Sequence, residues 1–98
     1  MKIDGFDWDT ANFEKVQKHG LSIEEIELFF EQDILVVDDQ KHSQSEKRQI
    51  AVGQLKDRVL FVAFTIRRKL GRHYLRVISA RCCHQKEQKY YEELKKKK

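Results

Sequence analysis

The chain has 98 residues, of which 40% are hydrophobic and 37% charged, with a net charge of +4; this length allows one domain. Its apolar residues fall in short periodic runs, which excludes wholesale disorder, and no run approaches the roughly 20 apolar residues of a membrane span. The first four residues lack an apolar signal core, and only two cysteines, the adjacent Cys82 and Cys83, are present. These features predict a cytoplasmic protein with no membrane partner.

Basic charge is concentrated in the last third of the chain. Residues 1–66 carry 8 basic and 13 acidic side chains, whereas residues 67–98 carry 12 basic and 3 acidic ones. Residues 95–98 are all lysine and predict a solvated basic tail after a single domain that spans residues 1–94. The remaining excess comes mainly from arginines in predicted strands, and it predicts an anionic partner, with nucleic acid the first candidate.

The N-terminal part of the chain predicts one short strand and two helices. An alternating segment at residues 6–8 favours an edge strand. Asp9 or Thr10 is a suitable N-cap for the first helix, and Gly20 fits the left-handed position after its end. Residues 22–25 form a capping box that opens the second helix.

From residue 34 onward the pattern is typical of strands, since residues 34–37 are rich in β-formers, residues 48–54 alternate, and residues 59–66 are apolar on both faces as in a central strand. A hairpin turn is predicted at residues 56–57 and a basic loop at residues 67–73. Short connections predict an antiparallel meander. The expected architecture is an α+β domain of two layers, with the two N-terminal helices packed on a small antiparallel sheet and a C-terminal helix added. The predicted strands are residues 34–37, 48–54, 59–66 and 74–80, and the terminal helix is residues 85–94.

The sequence lacks the motifs of several common active sites. The four glycines are scattered, so there is no phosphate-binding loop or dinucleotide fingerprint, and no Gly-x-Ser-x-Gly segment is present. Cys82, Cys83 and His84 are consecutive, whereas zinc ligands are usually two or more residues apart. The sequence therefore predicts no metal site and no cofactor.

Arginines near the strand ends are the main candidates for function. Arg48 begins one predicted strand and Arg67 ends the next, so antiparallel pairing brings them to one edge, with Arg76 in the last strand. Guanidinium groups suit a phosphodiester because each can hold two phosphate oxygens. His42 and Glu46, in the loop leading to that edge, can move a proton near neutral pH. The alternative is that each arginine is only a surface ion-pair partner.

The order of short motifs along nearly the whole chain resembles one known family, the BrnT-like ribonuclease toxins of type II toxin–antitoxin systems. The resemblance depends on the order and spacing of several segments together, since no single segment is specific. These segments are Phe6-Asp7-Trp8-Asp9, Lys18-His19-Gly20, Ser22-x-Glu24-Glu25, His42-x-x-x-Glu46-x-Arg48, Gly53, Phe61-Val62-Ala63-Phe64-Thr65-Ile66-Arg67, Arg76-Val77-Ile78-Ser79-Ala80-Arg81, Glu87 and Tyr90-Tyr91-Glu92.

This resemblance implies a fold similar to the RelE toxins, metal-independent cleavage of RNA, and inhibition by a BrnA-type antitoxin. The antitoxin would carry the DNA-binding element, so DNA is expected as a partner only through the antitoxin. In the implied reaction the 2′-hydroxyl of RNA attacks the adjacent phosphate while arginines stabilise the developing charge. The predicted catalytic residues are His42, Glu46, Arg48, Arg67 and Arg76, and the predicted RNA-binding residues are Lys18 and Arg81.

Two other functions fit the same distribution of charge. A catalytically degenerate domain would bind RNA or its antitoxin without turnover, and the absence of growth arrest on expression in a bacterial host would identify it. A DNA-binding repressor subunit is the least supported, because no helix-turn-helix pairs a recognition helix with the basic segment. Sequence-selective operator binding by the chain alone would identify that function.

Overall fold

Five strands and three helices make up the part of the chain that the computed structural model describes, residues 3–17, 20–39, 47–83 and 85–96. Their order along the chain is the order that the sequence periodicity predicts. No helix in these segments is long and apolar enough to span a bilayer. The elements are β1 (Gly5–Phe6), α1 (Thr10–Gln17), α2 (Ile23–Glu31), β2 (Leu35–Asp38), β3 (Arg48–Leu55), β4 (Arg58–Lys69), β5 (Arg72–Cys82) and α3 (Gln85–Lys96).

The five strands form one mixed sheet in the order β1-β5-β4-β3-β2. Strands β3, β4 and β5 pair antiparallel, each with the next one along the chain, which confirms the meander predicted for these three strands. Strand β2 pairs antiparallel with β3 at the edge of the sheet. Strand β1 instead pairs in parallel with β5, through Gly5 with Tyr74 and Phe6 with Leu75. The two longest strands, β4 with 12 residues and β5 with 11, dominate the sheet.

Two tight turns connect the long strands. The turn predicted at residues 56–57 is confirmed, since β3 and β4 pair up to it. The basic loop predicted at residues 67–73 is wrong, because β4 and β5 stay paired up to a two-residue turn. Leu70 and Gly71 make this turn with φ angles of 52° and 76°. Two positive φ angles are typical of the type I′ turn, whose twist matches that of the flanking strands.

The apolar core lies between one face of the sheet and the helices α1 and α2. Phe30 packs edge-to-face on Phe64 with ring centroids 5.3 Å apart. Gly53 allows α2 and the segment that follows it to lie close to β3, because a Cβ there would be 3.2 Å from Phe29 Cε1 and 2.6 Å from Ile34 Cγ2. The sheet residues of the core are Ala51, Leu55, Leu60, Val62, Phe64, Leu75, Val77 and Ala80.

Helix α2 begins at the predicted capping box, which is confirmed. The Ser22 side chain accepts a hydrogen bond from the Glu25 amide, and the Glu25 carboxylate accepts one from the Ser22 amide, both at 3.1 Å. These bonds, aided by the guanidinium of Arg58, hold the pKa of Glu25 below its usual value. Arg58 also pairs with the Glu25 carboxylate, so the start of α2 is fixed to β4.

The predicted architecture, two N-terminal helices packed as a layer on a small antiparallel sheet, is wrong. Helix α1 lies mainly against β5 and α2 mainly against β3, and the mixed sheet is the dominant element. Helix α3 lies on the opposite face, where Tyr91 is buried and Glu87 pairs with Arg81 of β5. The sheet is mixed because β1 adds to it in parallel beside β5, and both of its faces are covered because β4 is apolar on both.

Candidate nucleic-acid interface

Arg48, Thr65 and Arg76 form a row across β3, β4 and β5, here called the arginine row. Thr65 is the cross-strand partner of both arginines. Directly opposite residues place their Cβ atoms about 5 Å apart on the same face of a sheet. Arg67 follows Thr65 by two residues and therefore shares this face. It is the face opposite α1 and α2.

A β-bulge in β5 determines the side on which Arg76 lies. The register with β4 passes from Ser79 directly to Val77, so Ile78 is an extra residue without a partner in the ladder. An extra residue reverses the alternation of side chains beyond it. Arg76 and Arg81 are five residues apart and would lie on opposite faces of a regular strand, but the bulge places them on the same face.

Three cations of this face converge on one carboxylate oxygen. Asp7 Oδ2 lies 3.2 Å from Lys69 Nζ, 3.9 Å from Arg76 Nη1 and 4.0 Å from Arg67 Nη1. This oxygen is buried and accepts no hydrogen bond from the described residues, so its contacts are ionic. Arg76 also donates a hydrogen bond to the Asp9 carboxylate. The cluster is suited to an oxyanion, because a phosphate oxygen carries the same kind of charge as the carboxylate oxygen.

At the other end of the arginine row, contacts at the start of β3 hold Arg48 in place. Arg48 Nε lies 3.4 Å from Asp39 Oδ2, and the Asp39 amide donates a hydrogen bond to the Arg48 carbonyl at 2.8 Å. Thr65 is 4% exposed and donates a hydrogen bond from Oγ1 to the carbonyl of Lys47 at 2.7 Å. These contacts fix the position of the backbone that carries Arg48.

The structure brings together the three arginines that the sequence assigned to catalysis, Arg48, Arg67 and Arg76. Their shared face follows from register and alternation, and their roles stay predictions. The other two predicted catalytic residues, His42 and Glu46, and the predicted RNA-binding residue Lys18 fall outside the described residues. Their roles also stay predictions.

Arg81 lies on the same face but at its far end, beside α3. It donates hydrogen bonds of 2.7 and 2.8 Å to the two carboxylate oxygens of Glu87, and its Cζ lies 4.6 Å from the centroid of the Phe61 ring. The bond to Glu87 raises the pKa of the Arg81 guanidinium. Its cross-strand partner Phe61 precedes Thr65 by four residues, or about 13 Å along the strand. Arg81 therefore anchors α3 and is separate from the arginine row, and its predicted RNA contact stays a prediction.

Sequence reasoning missed four residues of this face. Tyr74 pairs with Arg67, and Lys69 pairs with Arg72 at the tip of the hairpin, while Asp7 is the carboxylate already described. Treating residues 67–73 as a loop concealed the cross-strand pairs. The two-residue spacing of Arg72, Tyr74 and Arg76 was the available signal, because it places all three on one face of a strand.

The described residues contain no cluster of side chains typical of a metal site. No three histidine, cysteine, aspartate or glutamate side chains there are grouped so that they could hold a metal ion. Cys82 is exposed and Cys83 is half-buried. Burial, with the Glu87 charge as a smaller cause, raises the pKa of the Cys83 thiol to about 11. Cys83 therefore remains protonated at neutral pH.

Comparison with known proteins gives one family. The family described as "Ribonuclease toxin, BrnT, of type II toxin-antitoxin system" has a sequence profile that matches residues 8–87. A search of curated proteins gave no match. The matched range contains strands β2 to β5 and therefore the whole arginine row.

Proposed function

We propose that this chain, which belongs to the BrnT family of ribonuclease toxins of type II toxin–antitoxin systems, cleaves RNA at the arginine row. Membership of this family implies a toxin with ribonuclease activity, an RNA substrate and an antitoxin partner. The observation that supports this location is the placement of Arg48 and Arg76 on either side of Thr65, with Arg67 on the same face.

The proposed reaction uses the nucleophile that RNA itself carries. The 2′-hydroxyl oxygen attacks the adjacent phosphorus as its proton passes to a base, and the bond from phosphorus to the 5′-oxygen then breaks. The leaving oxygen takes a proton, which gives a 2′,3′-cyclic phosphate and a 5′-hydroxyl. Arg48, Arg67 and Arg76 would stabilise the negative charge that builds up on the phosphorane oxygens, the largest contribution in sites of this kind.

Proton transfer is assigned to the segment that precedes β3. His42 and Glu46 are the proposed groups, and His42 is the better match at neutral pH because the usual pKa of histidine is about 6.5. Support comes from the chain order, since this segment leads directly to Arg48. The hydrogen bond from Thr65 to Lys47 fixes the point at which it joins the sheet.

Metal independence is part of the proposal. The substrate supplies the nucleophile, and three guanidinium groups supply positive charge at the phosphate, so the reaction as written needs no further Lewis acid.

Analysis of the reaction products tests this mechanism. The purified chain is incubated with a short unstructured RNA in excess EDTA, and the product ends are identified by mass spectrometry. We expect cleavage with 2′,3′-cyclic phosphate and 5′-hydroxyl ends. Products with 5′-phosphate ends, or cleavage only when Mg²⁺ is added back, would contradict the proposed chemistry.

The proposed partner is a BrnA-type antitoxin, and the proposed cellular effect is growth arrest caused by cleavage of RNA that is needed for translation. The family description, which names a type II toxin–antitoxin system, supports an antitoxin partner. The positive face offers a surface on which an acidic segment would compete directly with RNA, with charge steering the encounter. Expression of the chain alone should arrest a bacterial host, and co-expression of the neighbouring antitoxin gene should restore growth. Unimpaired growth with the folded chain at high level would favour a binding module without turnover.

A further inference from the structure

A cleft of about 610 Å³ opens beside the arginine row, at the tip of the β4–β5 hairpin. Its volume lies within the usual range for small-ligand sites. It combines aromatic, aliphatic and cationic side chains, which is the combination found where proteins bind single-stranded nucleic acid. The residues that line this hairpin cleft are Phe6, Asp7, Lys69, Leu70, Arg72 and Tyr74.

Tyr74 forms a fixed aromatic wall of the hairpin cleft. Its ring lies against Gly5 of the neighbouring strand, where an added Cβ would be 3.4 Å from both Cδ1 and Cε1 of the ring. The side chain is half-buried, and its residue pairs with Arg67 across the sheet. The backbone of β1 therefore restricts the ring on one side before any ligand binds, which reduces the entropy lost on binding.

Leu70 is the most unusual residue at the rim of the cleft. Its φ angle of 52° is in the left-handed region, which leucine rarely adopts, and its side chain is fully exposed at 102%. Asparagine or glycine is the usual residue at this position of such a turn. Neither local conformation nor packing in the free protein explains a leucine here, and such conformational outliers are concentrated at functional sites.

Two cations lie beside this apolar rim. Lys69 and Arg72 face each other across the end of the hairpin, and both line the cleft. Tyr74 lies between Arg72 and Arg76 in β5, two residues from each, which is about 7 Å along a strand. That distance is comparable to the length of one extended nucleotide. A strand of RNA with one phosphate at the arginine row would therefore place the adjacent nucleotide at the hairpin cleft.

We infer that the hairpin cleft binds the base of the nucleotide next to the scissile phosphate. The base stacks on Tyr74 and contacts Leu70 on the rim, while Lys69 and Arg72 contact the flanking phosphate. The ligand is single-stranded RNA, because a base enters such a cleft only when it is not stacked in a duplex. This inference rests on the proposed function, since the arginine row defines which nucleotide is adjacent.

Fluorescence of a base analogue tests the inference without cleavage. The probe is a short 2′-O-methyl oligoribonucleotide that contains 2-aminopurine, which cannot undergo 2′-hydroxyl attack and whose emission falls when the base stacks. With the wild-type chain we expect saturable quenching. Leu70→Asn suits the left-handed turn and preserves the fold, and Tyr74→Leu removes the aromatic ring. We expect each variant to weaken binding by about tenfold, as for loss of one stacking contact, and to reduce the quenching at saturation.

Lys56→Asn is the matched control. Lys56 occupies the other tight turn with a φ angle of 57° and does not line the hairpin cleft. This variant should bind and quench as the wild type does. Unchanged affinity and quenching in both Leu70→Asn and Tyr74→Leu would overturn the inference.

A parallel assay with unmodified RNA separates this inference from the proposed function. Cleavage of unmodified RNA with no quenching of the probe would overturn the base-binding cleft and leave the nuclease assignment intact. Quenching that depends on Leu70 and Tyr74, without cleavage of unmodified RNA, would support the cleft and contradict the proposed catalysis.

Discussion

The carboxylate of Asp7 lies 3.9 Å from the guanidinium of Arg76. The same buried oxygen also faces Lys69 and Arg67. Asp7 therefore neutralises part of the positive face in the free protein and orients the cations that would bind a phosphate. An incoming phosphate must share these cations with the carboxylate or displace it.

Replacing Asp7 with asparagine should strengthen RNA binding and weaken the fold. One unit charge at about 4 Å in water is worth about 1 kcal/mol, so the affinity for a 2′-O-methyl oligoribonucleotide should rise about fivefold. The free energy of unfolding should fall by about 1 kcal/mol, because clustered cations lose their counter-charge. Fluorescence titration and urea denaturation measure the two effects. Asp57→Asn in the exposed turn at the other end of the sheet makes the same change of charge, and an equal gain in affinity there would contradict a local role for Asp7.

The Thr65 hydroxyl should stabilise the start of β3, because it binds the carbonyl of the residue that precedes this strand. Thr65→Val keeps the shape but removes the donor to the Lys47 carbonyl, so the free energy of unfolding should fall by about 1 kcal/mol. Thr65→Ser retains the donor and serves as the control for the hydrogen bond. Urea denaturation of the two variants provides the comparison. If valine proves as stable as threonine, this hydrogen bond does not contribute to the stability of the fold.

The Arg81–Glu87 pair should couple α3 energetically to the sheet. A double-mutant cycle with Arg81→Met and Glu87→Gln should give a coupling energy of about 1–2 kcal/mol, because the contact is bidentate and half-buried. Thermal or urea unfolding of the four proteins provides the measurement. Additive changes in the free energy of unfolding would show that the pair does not stabilise the fold. RNA affinity of the folded Arg81→Met variant also tests the RNA contact predicted for this residue from the sequence.

The two cysteines should differ in reactivity. Cys82 is exposed, whereas the pKa of Cys83 is raised from 9 to about 11. Since the thiolate is the reactive form, this rise lowers the thiolate fraction of Cys83 about 100-fold at pH 8. Mass spectrometry of the folded chain during treatment with iodoacetamide should show carbamidomethylation of Cys82 well before Cys83. Equal rates would contradict the burial of Cys83, and unfolding in urea should remove the difference.

Local patterns predicted much of the chain correctly. The alternation of residues 48–54, the continuous apolar run of residues 59–66, the turn at residues 56–57 and the capping box at residues 22–25 all depend on neighbours in sequence, and the structure confirms the two strands, the turn and the cap. Such features are readable because period, capping and turn chemistry act over a few residues.

Features that depend on distant partners were not predictable. Pairing of β1 with β5 joins Gly5 to Tyr74, and no local pattern reports a contact across that separation. The bulge at Ile78 adds one residue and changes the face on which Arg76 lies, which alternation alone cannot reveal. The hairpin tip was mistaken for a loop because basic residues at strand ends resemble solvated segments, although Gly71 marks the turn.

Adjacent arginines of β4 offer the most direct test of the central claim, that one face of the sheet binds and cleaves RNA. Arg67 lies on the arginine-row face, whereas Arg68 pairs with His73 and lies on the opposite face. Arg67→Ala and Arg68→Ala remove the same charge one residue apart. The measurement is the initial rate of cleavage of a short RNA by each folded variant and by the wild type. We expect a loss of about 100-fold or more for Arg67→Ala, as for other transition-state donors, and a rate near that of the wild type for Arg68→Ala. Equal rates for the two variants would contradict the claim.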